Sequence, residues 1–208
     1  MKIIIVKYNA GNIRSVENAL NRIGAVCTIT DDLELIRKAD KVILPGVGEA
    51  STAMSYLKEK KLDQLLISLK QPVLGICLGL QLMCKFSEEG NTTCMGMFDT
   101  AVKLFPPKEL VPQMGWNNLS EMKGPLFKGL TENDDVYFVH SYYAETIPQL
   151  TTSMAPSFEG RGGITSAICN YILPFSAALQ KDNFYATQFH PEKSGKVGEL
   201  ILKNFLNI

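Results

Sequence analysis

Residues Pro72-Val73-Leu74-Gly75-Ile76-Cys77-Leu78-Gly79-Leu80-Gln81 decide how this chain is to be read. A short apolar run bounded by a proline suits a strand buried on both faces. It runs straight into Gly75-Ile76-Cys77-Leu78-Gly79, and helical residues follow. That is the strand–turn–helix elbow G-x-nucleophile-x-G, with cysteine in place of serine. The flanking glycines permit a turn sharp enough to lift the sulfur above a sheet, where a helix N-terminus favours the thiolate. The alternative is a buried structural cysteine in a glycine-rich turn.

Working outward, strands and helices alternate on the N-terminal side. A strand over residues 2–7 precedes Ile13, Val16, Ala19, Leu20 and Ile23 at helical spacing, with Gly24 placed to end that helix. Val26 to Thr30 reads as a second strand, and Asp31-Asp32 as caps of a short helix ending near Asp40. Val42-Ile43-Leu44 is a third strand, closed by Pro45-Gly46-Val47-Gly48. One helical stretch then carries Met54, Leu57, Leu62, Leu65, Leu66 and Leu69. Strands joined by helices of this length imply right-handed parallel crossovers, with helices on both sheet faces. From about residue 100 the expected elements are short strands, such as Val136 to Tyr143 and Phe184 to Phe189. Asp182-Asn183 forms a tight turn, and a last helix is capped at Ser194. The expected fold is α/β: an open, mostly parallel sheet with helices on both faces, extended by antiparallel strands in the C-terminal half. Residues 1–208 are read as a single domain.

Composition narrows the functional classes. The 208 residues are 46% hydrophobic and 20% charged, which excludes a disordered chain, and the length suffices for a core without disulfides. Lys+Arg and Asp+Glu both number 21, so no global basic field exists to hold nucleic acid. No segment reaches the ~18 uninterrupted apolar residues of a membrane span. Cys27, Cys77, Cys84, Cys94 and Cys169 are odd in number and lack a C-x-x-C, as expected of a reduced cytoplasmic protein. With His140 and His190 the only histidines, a zinc site is hard to assemble, and no metal is expected.

A nucleophilic cysteine needs a base. His190, in Phe189-His190-Pro191-Glu192, lies just past the last strand and brings its own carboxylate two residues on. His140, in Phe138-Val139-His140-Ser141-Tyr142-Tyr143, suits a core or pocket histidine equally well. Oxyanion donors are available in the Leu78 N–H and in Gly46-Val47-Gly48, whose glycines let a peptide approach or flip. Gln81, one helical turn past Cys77, is placed to meet a substrate.

Taken together, Pro45-Gly46-Val47-Gly48, Gly75 to Gln81 and Gln188-Phe189-His190-Pro191-Glu192-Lys193-Ser194 resemble the class I, triad-type glutamine amidotransferases over nearly the whole chain. The resemblance implies Cys77 as nucleophile, His190 as base, Glu192 as third member, glutamine as substrate and no cofactor. It also implies substrate contacts around His140, Ser141 and Tyr142. Within that family, Tyr8, Gly11 to Val16, the Val47 form of the oxyanion loop, Met114-Gly115-Trp116-Asn117 and Tyr137 to Tyr143 are similar to the glutaminase subunits of imidazole glycerol phosphate synthases. That similarity implies a heterodimer with a (β/α)₈ cyclase subunit in histidine biosynthesis, with Asn12, Arg14, Ser15, Trp116 and Asn117 at the interface. Lys7 and Asn9, and Glu49-Ala50, depart from the pattern near where a partner would dock. A glutaminase of another synthase, a free-standing γ-glutamyl hydrolase and a silent regulatory module are the competing readings.

Overall fold

The computed structural model describes residues 1–9, 11–147 and 163–208. Chain order begins β1 (Ile3–Val6), α1 (Ile13–Arg22), β2 (Cys27–Thr30), α2 (Leu33–Arg37), β3 (Lys41–Leu44), α3 (Ala50–Glu59), α4 (Leu62–Ser68), β4 (Val73–Ile76) and α5 (Leu78–Met83). Then come β5 (Cys84–Ser87), β6 (Thr92–Thr93), β7 (Phe98–Leu104), β8 (Gln113–Asn118), β9 (Asp135–His140) and β10 (Tyr142–Ala144). β11 (Ile164–Asn170), β12 (Pro174–Lys181), β13 (Phe184–Thr187) and α6 (Gly195–Leu206) complete it.

A seven-stranded sheet runs in the order β11-β12-β13-β4-β3-β1-β2. The strands from β13 to β2 are mutually parallel, while β12 and β11 add on antiparallel. β1, β3 and β4 are buried along their whole length, as strands covered on both faces must be. Alternate residues feed two cores. Ile4, Val6, Val42 and Leu44 face α3, α4 and α5, whereas Ile3, Ile5, Ile43 and Leu74 face α1 and α6. No helix among the described residues is long and apolar enough to cross a membrane.

Several local expectations are corrected. The helical stretch after residue 50 is two helices, broken where Lys61 takes φ 56°. Leu57 and Leu62 are out of phase on one continuous helix, and the break returns both to the buried side. The strand expected over Val136 to Tyr143 divides at Ser141. Its first part, β9, pairs with β8, and its second, β10, pairs with β7 in a separate four-stranded sheet. Ser194 occupies the cap position of α6, yet its hydroxyl donates to the His190 carbonyl at 2.7 Å and accepts the Tyr137 N–H at 2.9 Å.

The helices close on the sheet through glycine. A Cβ on Gly79 would stand 2.0 Å from the Leu44 carbonyl oxygen, so α5 can lie against the end of β3 only because that atom is missing. A Cβ on Gly198 would stand 1.8 Å from the Pro191 carbonyl oxygen, where α6 crosses the turn after His190. Backbone cannot yield as a flexible side chain can. Gly198→Ala is therefore expected to lower stability by about 1–3 kcal/mol, read as a lower urea midpoint with an unchanged denaturant slope.

Candidate active site

Three adjacent parallel strands end at one edge of the sheet. Beyond β3 lies Pro45-Gly46-Val47-Gly48, beyond β4 Cys77, and beyond β13 Gln188-Phe189-His190. Ile76 is in register with Thr187, and the Cys77 N–H donates to the Thr187 carbonyl at 2.7 Å. Cys77 itself adopts φ 52°, ψ −105°. A side chain held there is strained, and strain of this kind collects at functional sites. It aims the sulfur off the sheet edge.

The sulfur lies near enough to His190 to favour its charged form, while His190 Nε2 has no hydrogen-bond partner among the described residues. His190 is 1% exposed, and its Nδ1 lies 2.7 Å from Oε1 of the buried Glu192. Burial works against charging this imidazole, but the facing sulfur and the Glu192 carboxylate outweigh it and push the pKa up to about 10. The loop holding His190 is tied down by its N–H to the Tyr137 carbonyl at 2.9 Å and by the Ser194 hydroxyl. Gln188 donates to the sulfur at 3.6 Å, and Gln81 donates to Gln188 Oε1 at 3.2 Å and to the Tyr142 carbonyl at 3.0 Å.

His140 is built to the opposite end. Its ring packs against Phe105, Phe138 and Phe175, and burial pushes its pKa down to about 4. A carbonyl only accepts, so Nδ1 carries the proton in its 2.8 Å bond to the Tyr142 carbonyl, and Nε2 is a bare acceptor. Of the two histidines, His190 alone pairs with a carboxylate and sits under the electrostatic influence of the Cys77 sulfur.

A cavity of about 250 Å³ opens above Cys77. Val47, Gly48, Cys77, Leu78, Gln81, His140, Ser141 and Tyr142 all line it, so nearly every anticipated substrate contact is gathered there. Gly46 sits buried behind this wall. Glu89, which sequence reasoning missed, also lines the cavity. Burial raises its pKa, opposed by the Ala50 N–H it accepts at 2.7 Å, and the nearby Glu49 raises it further. Its only sequence signal is an acidic pair after β5, which reads as surface. Gln188 opens the motif that carries His190, but its contact with the Cys77 sulfur was not foreseen.

Of the N–H groups expected to bind an oxyanion, that of Leu78 is already occupied. The Leu78 N–H is taken by the Gly46 carbonyl at 3.3 Å, so the Gly46–Val47 peptide turns its oxygen toward the elbow. The flanking peptides are pinned: the Tyr8 hydroxyl donates to the Pro45 carbonyl at 2.5 Å, and the Gly11 N–H to the Val47 carbonyl at 3.3 Å.

The residues expected at an interface divide. Trp116 is 57% exposed beside exposed Met114, and its ring meets Tyr137 edge-on at 5.8 Å. Arg14 is exposed and paired with Glu17 at 2.6 Å, while Ser15 is half-buried. Half-buried Asn117 donates to the Asn170 carbonyl at 3.0 Å, and half-buried Asn12 donates to Glu192 at 2.7 Å.

A strained cysteine, a buried histidine–carboxylate pair and a small cavity at a parallel sheet edge can together carry acyl transfer from an amide. This chain belongs to the class-I glutamine amidotransferase family, whose model matches residues 5–208. It is 58% identical over 211 residues to the imidazole glycerol phosphate synthase subunit HisH of Bacteroides fragilis strain YCH46, covering 100% of both chains. It is 45% identical over 208 residues to the protein of that name from Haemophilus influenzae Rd, covering 99% of this chain and 97% of the relative. Among solved structures, a glutamine amidotransferase superimposes with a TM-score of 0.71 at 18% identity, covering 98% of this chain and 97% of the other. A second, from Thermotoga maritima, gives 0.63 at 15% identity, covering 99% and 82%. At these identities the structures attest the fold.

His140 has a thermodynamic consequence. Between about pH 6.5 and 4 the unfolded chain protonates this histidine and the folded chain does not, so stability falls as pH drops, by up to about 1.4 kcal/mol per unit. His140→Gln is expected to flatten that stretch of the curve relative to the parent in urea unfolding at about pH 6.5, 5.5 and 4.5.

Proposed function

We propose that this chain is the glutaminase subunit of an imidazole glycerol phosphate synthase, with Cys77, His190 and Glu192 as its catalytic triad. The observation that carries the chemistry is the strained Cys77 facing a His190 held by Glu192, at the wall of a cavity sized for a small amino acid. The particular synthase rests on similarity to the HisH subunits.

The glutamine side chain enters with its amide carbon over the sulfur. Gln81 and the backbone around Ser141 and Tyr142 shape the pocket, and the Glu89 carboxylate faces the α-ammonium group. The Cys77 thiolate attacks the amide carbon and its π electrons move to oxygen. The His190 imidazolium then gives its proton to the departing nitrogen as the C–N bond breaks, releasing ammonia and leaving a γ-glutamyl thioester. Water, deprotonated by His190, attacks that thioester. The sulfur leaves as thiolate and glutamate is freed. Glu192 holds the imidazole through Nδ1 and stabilises its charged form throughout.

The tetrahedral oxyanion needs two N–H donors. Leu78 can serve once the Gly46 carbonyl releases it, and rotation of that same peptide brings the Val47 N–H into place. Missing one donor typically raises the barrier by about 2.7–4 kcal/mol. The free chain therefore works slowly, and a partner that turns the peptide switches it on. The partner of this reading is a (β/α)₈ cyclase subunit that takes the ammonia directly into imidazole glycerol phosphate and an aminoimidazole carboxamide ribotide. Its seat is the face of Trp116, Met114 and Tyr137, with Lys193 over the Tyr137 ring at 5.7 Å. Cytoplasmic residence belongs to this biosynthetic role.

Glutamate release by the purified chain is expected to be slow alone and strongly stimulated by the cyclase subunit and its ligand. Fast turnover unaffected by that subunit would instead mark a free-standing hydrolase. Cys77→Ala is expected to abolish turnover and labelling by a glutamine-mimicking electrophile while leaving complex formation intact. His190→Ala should lower kcat about 10²–10⁴-fold, and Glu192→Gln by less, since the base survives when only its orientation is lost.

A further inference from the structure

Asn12 occupies the cap position of α1, where an asparagine side chain ordinarily accepts a backbone N–H of the first turn. Here it makes no cap bond. The residue instead sits at φ 68° and sends its Nδ2 to Oε1 of Glu192, 180 residues away in sequence, at 2.7 Å. That oxygen is the one 2.7 Å from His190 Nδ1. The other oxygen of Glu192 is buried and has no hydrogen-bond partner among the described residues. Both side-chain restraints on the carboxylate therefore converge on a single atom. If the carboxylate rotates, it loses Asn12 and His190 together.

The rest of α1 supports this arrangement. At its far end Arg22 reaches the Glu192 carbonyl at 3.5 Å and pairs with Glu199 of α6 at 3.1 Å. The helix thus lies along the turn that carries Glu192, gripping its backbone at one end and its side chain at the other. A local cap is forgone so that a distant carboxylate is aimed.

We propose that Asn12 is a positioning residue of the catalytic set: it orients Glu192, and through Glu192 the imidazole of His190, rather than serving chiefly as a docking contact. It touches neither substrate nor sulfur, and it does not line the glutamine cavity. The inference rests on the triad reading above.

The test is glutaminase kinetics at saturating cyclase subunit, with the subunit's affinity measured in parallel. Asn12→Gly keeps a residue at ease with positive φ and deletes the side chain with its amide. Asn12→Asp keeps the shape but turns an oxygen toward the Glu192 carboxylate. Asn12→Gly is expected to lower kcat about tenfold with the KM for glutamine within about twofold. Asn12→Asp should lose more than Asn12→Gly, the reverse of what a merely structural role gives. In a Glu192→Ala background, Asn12→Gly should have no further effect.

Three results would overturn the role of Asn12: unchanged kcat, losses that multiply with those of Glu192→Ala, or a defect confined to the affinity for the cyclase subunit. His190→Ala in the same assay separates the two claims. Full activity there ends the triad itself, whereas loss there with full activity in Asn12→Gly ends only the part given to Asn12. Circular dichroism and urea midpoints of both Asn12 variants identify a loss that is simply unfolding, and the variant that folds then decides.

Discussion

The parallel pairing of β4 with β13 is the constraint from which the site follows. Gln188 and Cys77 lie 111 residues apart in sequence, yet the register of Ile76 with Thr187 sets the two strand ends level. The Cys77 N–H bond to the Thr187 carbonyl seals that edge. A slip of one residue would send Cys77 or His190 to the wrong face of the sheet, because side chains alternate along a strand. On the other flank β3 ends in the same plane and brings the Gly46–Val47 peptide against Leu78. Cys77, His190 and the Gly46–Val47 peptide are thus brought together by one sheet edge.

What surrounds that edge sets the charge of each group. Two buried histidines share the neighbourhood and are driven in opposite directions. Burial among aromatic rings keeps His140 neutral against the opposite pull of its carbonyl partner, whereas the nearby sulfur and a carboxylate hold His190 in its charged form despite burial. An uncompensated buried charge is costly, and a compensated one is held. The pair differ in partners far more than in burial.

Tyr8, Gly11 and Asn12 tie these parts together, and each of these ties is long-range. Tyr8 holds the Pro45 carbonyl, the Gly11 N–H holds that of Val47, and Asn12 holds Glu192. The Gly46–Val47 peptide is left as the one unit between two anchored neighbours. Contacts made at the start of α1 therefore bear on the segment after β3 and on Glu192 at once.

Local patterns in the sequence determined the strand–helix alternation, the elbow at Cys77 and the carboxylate travelling with His190, because apolar runs, glycine pairs and i,i+2 spacing express themselves within a few residues. The family was legible for the same reason: its motifs are contiguous. Local reading overextended a helix across Lys60-Lys61 and a strand across Ser141, since strand exchange and rephasing answer to what packs above them. It gave no intrachain partner to Asn12 or Asn117, because Glu192 and the Asn170 carbonyl come from elsewhere in the chain. Glu89 read as part of an acidic surface pair, and Gln188 stood in the histidine motif with no role given to its side chain. Only the tertiary structure decided which oxygen Asn12 grips, which histidine is charged and where the Leu78 N–H points, because hydrogen-bond pairing and desolvation depend on neighbours that sequence proximity does not supply.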